Sequence, residues 1–118
     1  MYWTQIDERV VGDVVILDLR GRVTVSEESK PAADTVRRLL SEGRTKILLN
    51  LAHVAFIDSL GIGDIVRAVT ATERAGGTLR LCSVNNRIRS VLVDTHLTEV
   101  IDSFESEQSG LDNFRGSD

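Results

Sequence analysis

The chain's 118 residues, 42% hydrophobic and 27% charged, suffice for one core without disulfides or metals, and 9 glycines with 1 proline are too few for a disordered or collagen-like chain. Fourteen basic against 18 acidic residues leave a net charge of -4, which repels a nucleic-acid backbone, and 4% aromatic residues leave few rings to stack on bases. No apolar run reaches the roughly 20 residues of a membrane span, and MYWTQIDERV lacks the basic and apolar regions of a signal peptide, so a cytoplasmic protein with neither nucleic-acid nor membrane partner is expected.

Residues 4–20, TQIDERVVGDVVILDLR, hold two β-rich runs around Gly12-Asp13, the second alternating through Val14, Ile16, Asp18 and Arg20; they predict a β-hairpin ending at Gly21. VTVSEESK reads as a polar loop whose Ser26 or Ser29 caps the next helix, with Glu27 and Glu28 at the positive end of its dipole. That helix is expected over 30–42, with Pro31 in its first turn, Ala32, Val36, Leu39 and Leu40 as its apolar stripe and Gly43 as its stop. KILLNLA, 46–52, is a continuous aliphatic run, as a central strand buried on both faces requires.

A second helix is predicted from Ser59 to Ala75, with Ile62, Ile65, Val66, Val69 and Thr72 inward and Gly76-Gly77 closing it. TLRLCSV, 78–84, is the next strand, and its Cys82, the only cysteine, suits a small buried thiol better than a reactive one. Asn85 or Asn86 caps a third helix, RIRSVLVDTH, with Ile88, Val91, Leu92 and Thr95 on one face. EVID, 99–102, reads as a short last strand, and Phe104, Leu111 and Phe114 mark a closing amphipathic helix despite Gly110. RGSD, 115–118, is expected to be a frayed tail. A hairpin followed by alternating helices and strands predicts a single α/β domain over 1–118. Its small mixed β-sheet has about five strands, packed with about four α-helices, and right-handed crossovers join the parallel pairs.

AFIDSLGIGDIV, 55–66, is the stretch with chemical content. A serine nucleophile on a strand-helix elbow needs Gly two residues before it, where this chain has Ile57. The two histidines, His53 and His96, stand at element ends, and with one cysteine they provide no metal-ligand cluster. A dinucleotide loop would need a third glycine where Val66 stands. No catalytic residue, metal ligand or cofactor site is assigned. Two readings are left, a helix cap and a switch, and they are compatible: Ser59 is expected to cap the helix and, being exposed, to accept a phosphate.

Asp58 and Ser59 are both good caps, Ser59 being the cap if Leu60 begins the helix. Gly61 and Gly63 each cost roughly 1 kcal/mol in a helix relative to alanine, which asks for close packing or approach by a partner. Leu60, Asp64, Ala68 and Ala71 lie opposite the apolar stripe and are expected to form a small outward face able to receive another protein. A phosphate on Ser59 would add about -1.5 to -2 charges at its rim, repelled by Asp58 and Asp64 and costly for an apolar partner to desolvate.

FIDSLGIGDIV resembles the Asp-Ser-x-Gly-x-Gly signature of STAS domains, specifically the bacterial anti-sigma factor antagonists. VVILDLRGRVTV, GRTKILLNLAHVAFIDSLGIG, ERAGGTLRLCSV and IRSVLVDTHLTEVIDSFESEQSGL are similar, in order and spacing, to the family's other segments, so the resemblance covers nearly the whole chain. It implies a non-enzymatic regulator of transcription. The unphosphorylated form would bind an anti-sigma factor that is also an ATP-dependent serine kinase, so releasing a sigma factor. That kinase would phosphorylate Ser59, and a serine phosphatase would reset it. Thr24, Asp58, Leu60, Gly61, Gly63 and Asp64 are the partner-binding residues so implied, in a monomer or weak dimer. Thr24 departs from the acidic residue many antagonists carry there, and the loop from Thr24 to Lys30 is longer than in the shortest members. The alternative within the same fold is a scaffold or sensory-complex subunit in which Ser59 is only a helix cap.

Overall fold

The alternation of β-rich and helical segments is realised in a computed structural model that describes residues 5–25 and 31–115. Strands β1 (Gln5–Val11) and β2 (Val14–Val23) form the hairpin, with Gly12 in the left-handed region its turn needs. Helix α1 (Ala32–Ser41), strand β3 (Lys46–Ile57), helix α2 (Ser59–Arg74), strand β4 (Thr78–Cys82) and helix α3 (Asn86–Asp94) follow. A 3-10 turn (Leu97–Glu99), strand β5 (Ser103–Phe104) and helix α4 (Glu107–Arg115) close the fold. The five strands lie in sequence order, β1 antiparallel to β2 and every later pair parallel.

Helices cover both faces of the sheet at its centre, so Val14–Leu17 of β2 and Ile47–Leu49 of β3 are wholly aliphatic, while Arg20, Arg22, His53 and Phe56 further along the strands are exposed. Val15, Leu17, Leu19, Ile47, Leu49 and Leu51 point into a core shared with Val36 of α1, Ile65 and Ala68 of α2 and Ile88 and Leu92 of α3. Val14, Ile16, Leu48 and Cys82 point the other way, onto Leu111 and Phe114 of α4. Gly110 explains itself here: a Cβ would press on both methyls of Leu48, so the helix residue without a side chain is the one that meets the sheet. Burial pushes the Cys82 thiol up to about 11, which keeps it an inert core group. Beside this second core the Arg9 guanidinium forks onto Asp18 at 2.6 and 2.9 Å and reaches Glu107 of α4 at 2.6 Å, tying the last helix to the hairpin.

Several expectations shift. β2 continues past Gly21 to Val23, and β3 continues past Ala52 to Ile57, because the two strands pair in parallel as far as Val23 and Ile57. β4 ends at Cys82, since Ser83 takes a positive φ of 61°. The last strand is Ser103–Phe104, not 99–102: His96 turns left-handed, a 3-10 turn buries Leu97 and Ile101, and pairing with β4 begins only afterwards. Val66 is 41% exposed and Thr95 is exposed, so neither belongs to the core. The proposed capping residues Ser26 and Ser29, and most of the 115–118 tail, lie outside the described residues. Pro31 occupies the N-cap position of α1 and offers no side-chain cap.

Candidate functional site

The parallel ends of β2 and β3 deliver Val23, Thr24 and Asp58 to one edge, and α2 starts there. Asp58 is the knot. Its N–H donates to the Val23 carbonyl at 3.4 Å, its Oδ2 accepts from the Thr24 hydroxyl at 2.6 Å, and its Oδ1 accepts from the Gly61 N–H at 2.9 Å. Partial burial works against the charge, yet the bonds from Thr24, Gly61 and Leu60 prevail and hold the carboxyl below its ordinary value. Asp58, rather than Ser59, is therefore the N-cap of α2. The reading of Ser59 as cap is corrected: Ser59 is the first helical residue, exposed, with no side-chain hydrogen bond among the described residues.

The two glycines have different reasons. Gly61 is buried, and any Cβ would collide with the Val23 carbonyl oxygen, so α2 rests its first turn directly on the end of β2. Gly63 faces outward, where a Cβ would meet the Arg67 Nη1 at 3.5 Å, an ordinary van der Waals contact. Leu60 is 57% exposed next to Ser59.

Asp64 is not on the outward face to which sequence spacing assigned it. It is 1% exposed and accepts from the Ala32 and Ala33 N–H groups at 2.6 and 3.0 Å, so it caps α1 from the neighbouring helix. Burial raises its pKa, with the two N–H donors acting in the opposite direction. Ala68 is buried as well. The outward face of α2 instead carries Ser59, Gly63, Val66, Arg67, Thr70 and Arg74. Of the residues expected on a partner surface, Thr24, Asp58, Leu60 and Gly63 gather around Ser59 with some exposure, whereas Gly61 and Asp64 serve as buried supports.

Sequence reasoning missed three features. Arg22 stacks on the exposed Phe56 at 4.5 Å, a contact that exists because the two residues are register partners on β2 and β3. Arg67 was passed over, although its place four residues after Gly63 was a usable signal. A groove of about 530 Å³ runs between α1 and α2, with Leu40, Val66 and Ala71 in its lining and Arg37, Arg67 and Arg74 around them. No cluster of three His, Cys, Asp or Glu suited to a metal ion occurs among the described residues, and no described helix is long and apolar enough to cross a membrane. His96 bonds Glu99 at 2.6 Å beyond α3, and neither it nor His53 is a hydrogen-bond partner of Ser59.

An Asp cap, an exposed serine beside it and a glycine pressed on the preceding strand thus occur together at the end of a parallel pair. The STAS domain profile matches residues 5–110. The chain belongs to the STAS domain family. This STAS chain is 30% identical over 108 residues to a candidate anti-sigma factor antagonist of Thermotoga neapolitana, covering 92% of the chain and 96% of that relative. The crystal structure of a candidate anti-sigma factor antagonist of Thermotoga maritima superposes with a TM-score of 0.78 at 27% identity, over 93% of this chain and 94% of that one. The Bacillus cell fate determinant SpoIIAA in its phosphorylated form superposes at 0.64 with 21% identity, over 94% and 98%, a likeness of fold.

Proposed function

We propose that this STAS protein is an anti-sigma factor antagonist whose binding to its partner is switched off by phosphorylation of Ser59. The observation that carries the reading is the division of labour at the start of α2: Asp58 makes the cap, and Ser59 presents an uncommitted hydroxyl to solvent. The partner is an anti-sigma factor with ATP-dependent serine kinase activity. Its kinase transfers the γ-phosphoryl group of ATP to the Ser59 Oγ, with ADP leaving and the hydroxyl proton released. A serine phosphatase returns the hydroxyl by hydrolysis. The protein itself supplies no catalytic group and works in the cytoplasm.

The surface around Ser59 suits such a partner. Leu60, Phe56 and Val66 are exposed apolar side chains, and Thr24 and Asp58 are partly accessible beside them. A dianion at Ser59 sits at the positive end of α2, which tolerates it, so the fold survives modification. A partner burying Leu60 would have to strip that dianion of water, so the complex does not. The relatives' names point to the same role, and the SpoIIAA structure in phosphorylated form is compatible with a phosphate on this fold. The switch and scaffold readings both assigned the cap to Ser59; Asp58 makes it, which leaves the Ser59 hydroxyl without a structural task in the helix.

The test is incubation with the host's anti-sigma kinases and ATP, read by intact mass. One phosphate is expected on the wild type and none on Ser59→Ala, with Ser59→Asp losing affinity for the anti-sigma factor. If no kinase modifies Ser59 and Ser59→Asp binds every partner as the wild type does, the switch reading is wrong.

A further inference from the structure

Ser59, Gly63 and Arg67 follow one another at intervals of four residues on the outward face of α2, where helical neighbours lie about 6 Å apart. Gly63 leaves a gap in that row, and the Arg67 guanidinium lies over it: Nη1 is 3.5 Å from where a Cβ would stand and, among the described residues beyond the helix's own neighbouring backbone, is the atom found there. The Arg67 side chain therefore runs toward the helix N-terminus, the direction in which helical side chains lean, and ends one turn from the Ser59 hydroxyl. A side chain at 63 reaching beyond a methyl group would crowd the path of the guanidinium.

Among the described residues, several charged groups near this row have partners. Asp58 is held by Thr24 and Gly61, and Asp64 by the α1 N–H groups of Ala32 and Ala33. On α1, Asp34 stands 3.8 Å from Arg37, and at the end of β2 Arg22 covers Phe56. Arg67 makes no ion pair or hydrogen bond among the described residues, and its charge acts on the buried Asp64. One fixed carboxylate, Asp58, thus precedes Ser59, and Arg67 is a cation that shares its row.

Building on the phosphorylation reading above, we propose that Arg67 is the intramolecular receptor of the phosphate on Ser59, its guanidinium donating to the phosphate oxygens across the gap at Gly63. The planar guanidinium fork fits a phosphate, and such charge-assisted bonds are about twice as strong as neutral ones. Phosphorylation then alters more of α2 than the modified residue. The phosphate is drawn back onto its own helix, and Arg67 is withdrawn from the α1–α2 groove it lines with Arg37 and Arg74. A partner lying along α2 would meet a gained dianion at Ser59 and a lost cation two turns on.

The test places phosphoserine at position 59 of the full chain during translation, so that no kinase need recognise it, and follows the phosphorus-31 resonance through a pH titration. In the wild-type background the second phosphate ionisation is expected below its ordinary value of about 6. Arg67→Gln should raise it by ~0.5 unit, and Gly63→Leu, which fills the gap while keeping Arg67, should do the same. Arg74→Gln removes an equal charge further along the helix and should leave it unmoved. Equal titrations for wild type and Arg67→Gln overturn the clamp, as does an equal effect of Arg74→Gln, which would mean diffuse charge alone. Failure of the kinases to modify Ser59 would count against the switch reading, and the titration decides the clamp independently of it.

Discussion

Two helices on the same face of the sheet begin in opposite ways. α2 starts with its own cap, Asp58, whose carboxylate closes onto the Gly61 N–H three residues on. α1 starts at Pro31 with no side-chain cap and receives the Asp64 carboxylate from α2, thirty-two residues along the chain from Ala32. Both answers meet the same need, since the first N–H groups of a helix have no partner within it. They differ in what they leave free. The local cap leaves Ser59 without structural duty at the protein surface, while the borrowed cap clamps two helices together and withdraws Asp64 from any partner.

The sharpest way to break the comparison is at Gly61, where α2 meets β2. Gly61→Ala drives a Cβ into the Val23 carbonyl and should cost about 3 kcal/mol or more, read by thermal unfolding, because backbone on both sides cannot yield cheaply. Gly63→Ala, whose Cβ would make only an ordinary van der Waals contact with the flexible Arg67 side chain, should be neutral or stabilising, and equal losses at the two positions would refute the assignment of their roles.

Next in size is Asp64→Ala. It leaves the Ala32 and Ala33 N–H groups buried without acceptors and should cost about 2 to 3 kcal/mol. Amide exchange should show the loss concentrated at the start of α1, not at α2, which is the signature of a cap given across helices.

Asp58→Ala should cost about 1 to 2 kcal/mol by urea unfolding at neutral pH. The Asp58 carboxyl titrates below its ordinary range in the folded protein, so its contribution is present above the unfolded value of 3.8 and is lost as pH falls through the folded one. The penalty of Asp58→Ala should therefore shrink on acidification below about pH 4. Asp64 has the opposite sign: its folded pKa is raised, so its protonation favours the folded state as pH falls. A penalty for Asp58→Ala that grows in acid would contradict the hydrogen bonds assigned to its ionised form.

The smallest effect is expected at Ser59. Ser59→Ala should leave stability within about 0.5 kcal/mol of wild type, since the cap remains, while abolishing phosphate acceptance. A loss as large as that of Asp58→Ala would restore Ser59 as a cap.

Much of this was legible in the chain. The mainly aliphatic run KILLNLA at 46–52 announced a central strand, Gly12-Asp13 a hairpin, and Asn85 a cap that the Ile88 N–H does use. The Asp-Ser-x-Gly-x-Gly stretch located the candidate site and its family. The errors cluster where two segments far apart meet. Helical spacing opposite the apolar stripe puts Asp64 on the outward face, and nothing near it in sequence shows the α1 N–H groups that compensate its burial. Val66 was read as core because its spacing fits, but the α2 stripe is rotated so that Ala68 meets the sheet and Val66 faces outward. The last strand was misplaced because a left-handed His96 and a 3-10 turn use up the residues that looked extended.

Local pattern alone determined the helices and the first four strands in outline, the alternation that makes the sheet mostly parallel, and the position of the serine beside an aspartate at a helix start. Those follow from side-chain periodicity and capping chemistry, which act over a few residues. Only the tertiary structure decided which of two adjacent residues caps, which of two glycines is compelled, and which of two aspartates faces a partner. Each depends on where the carbonyl of Val23 and the first turn of α1 come to rest, and packing sets those positions across distances in sequence that no local pattern spans.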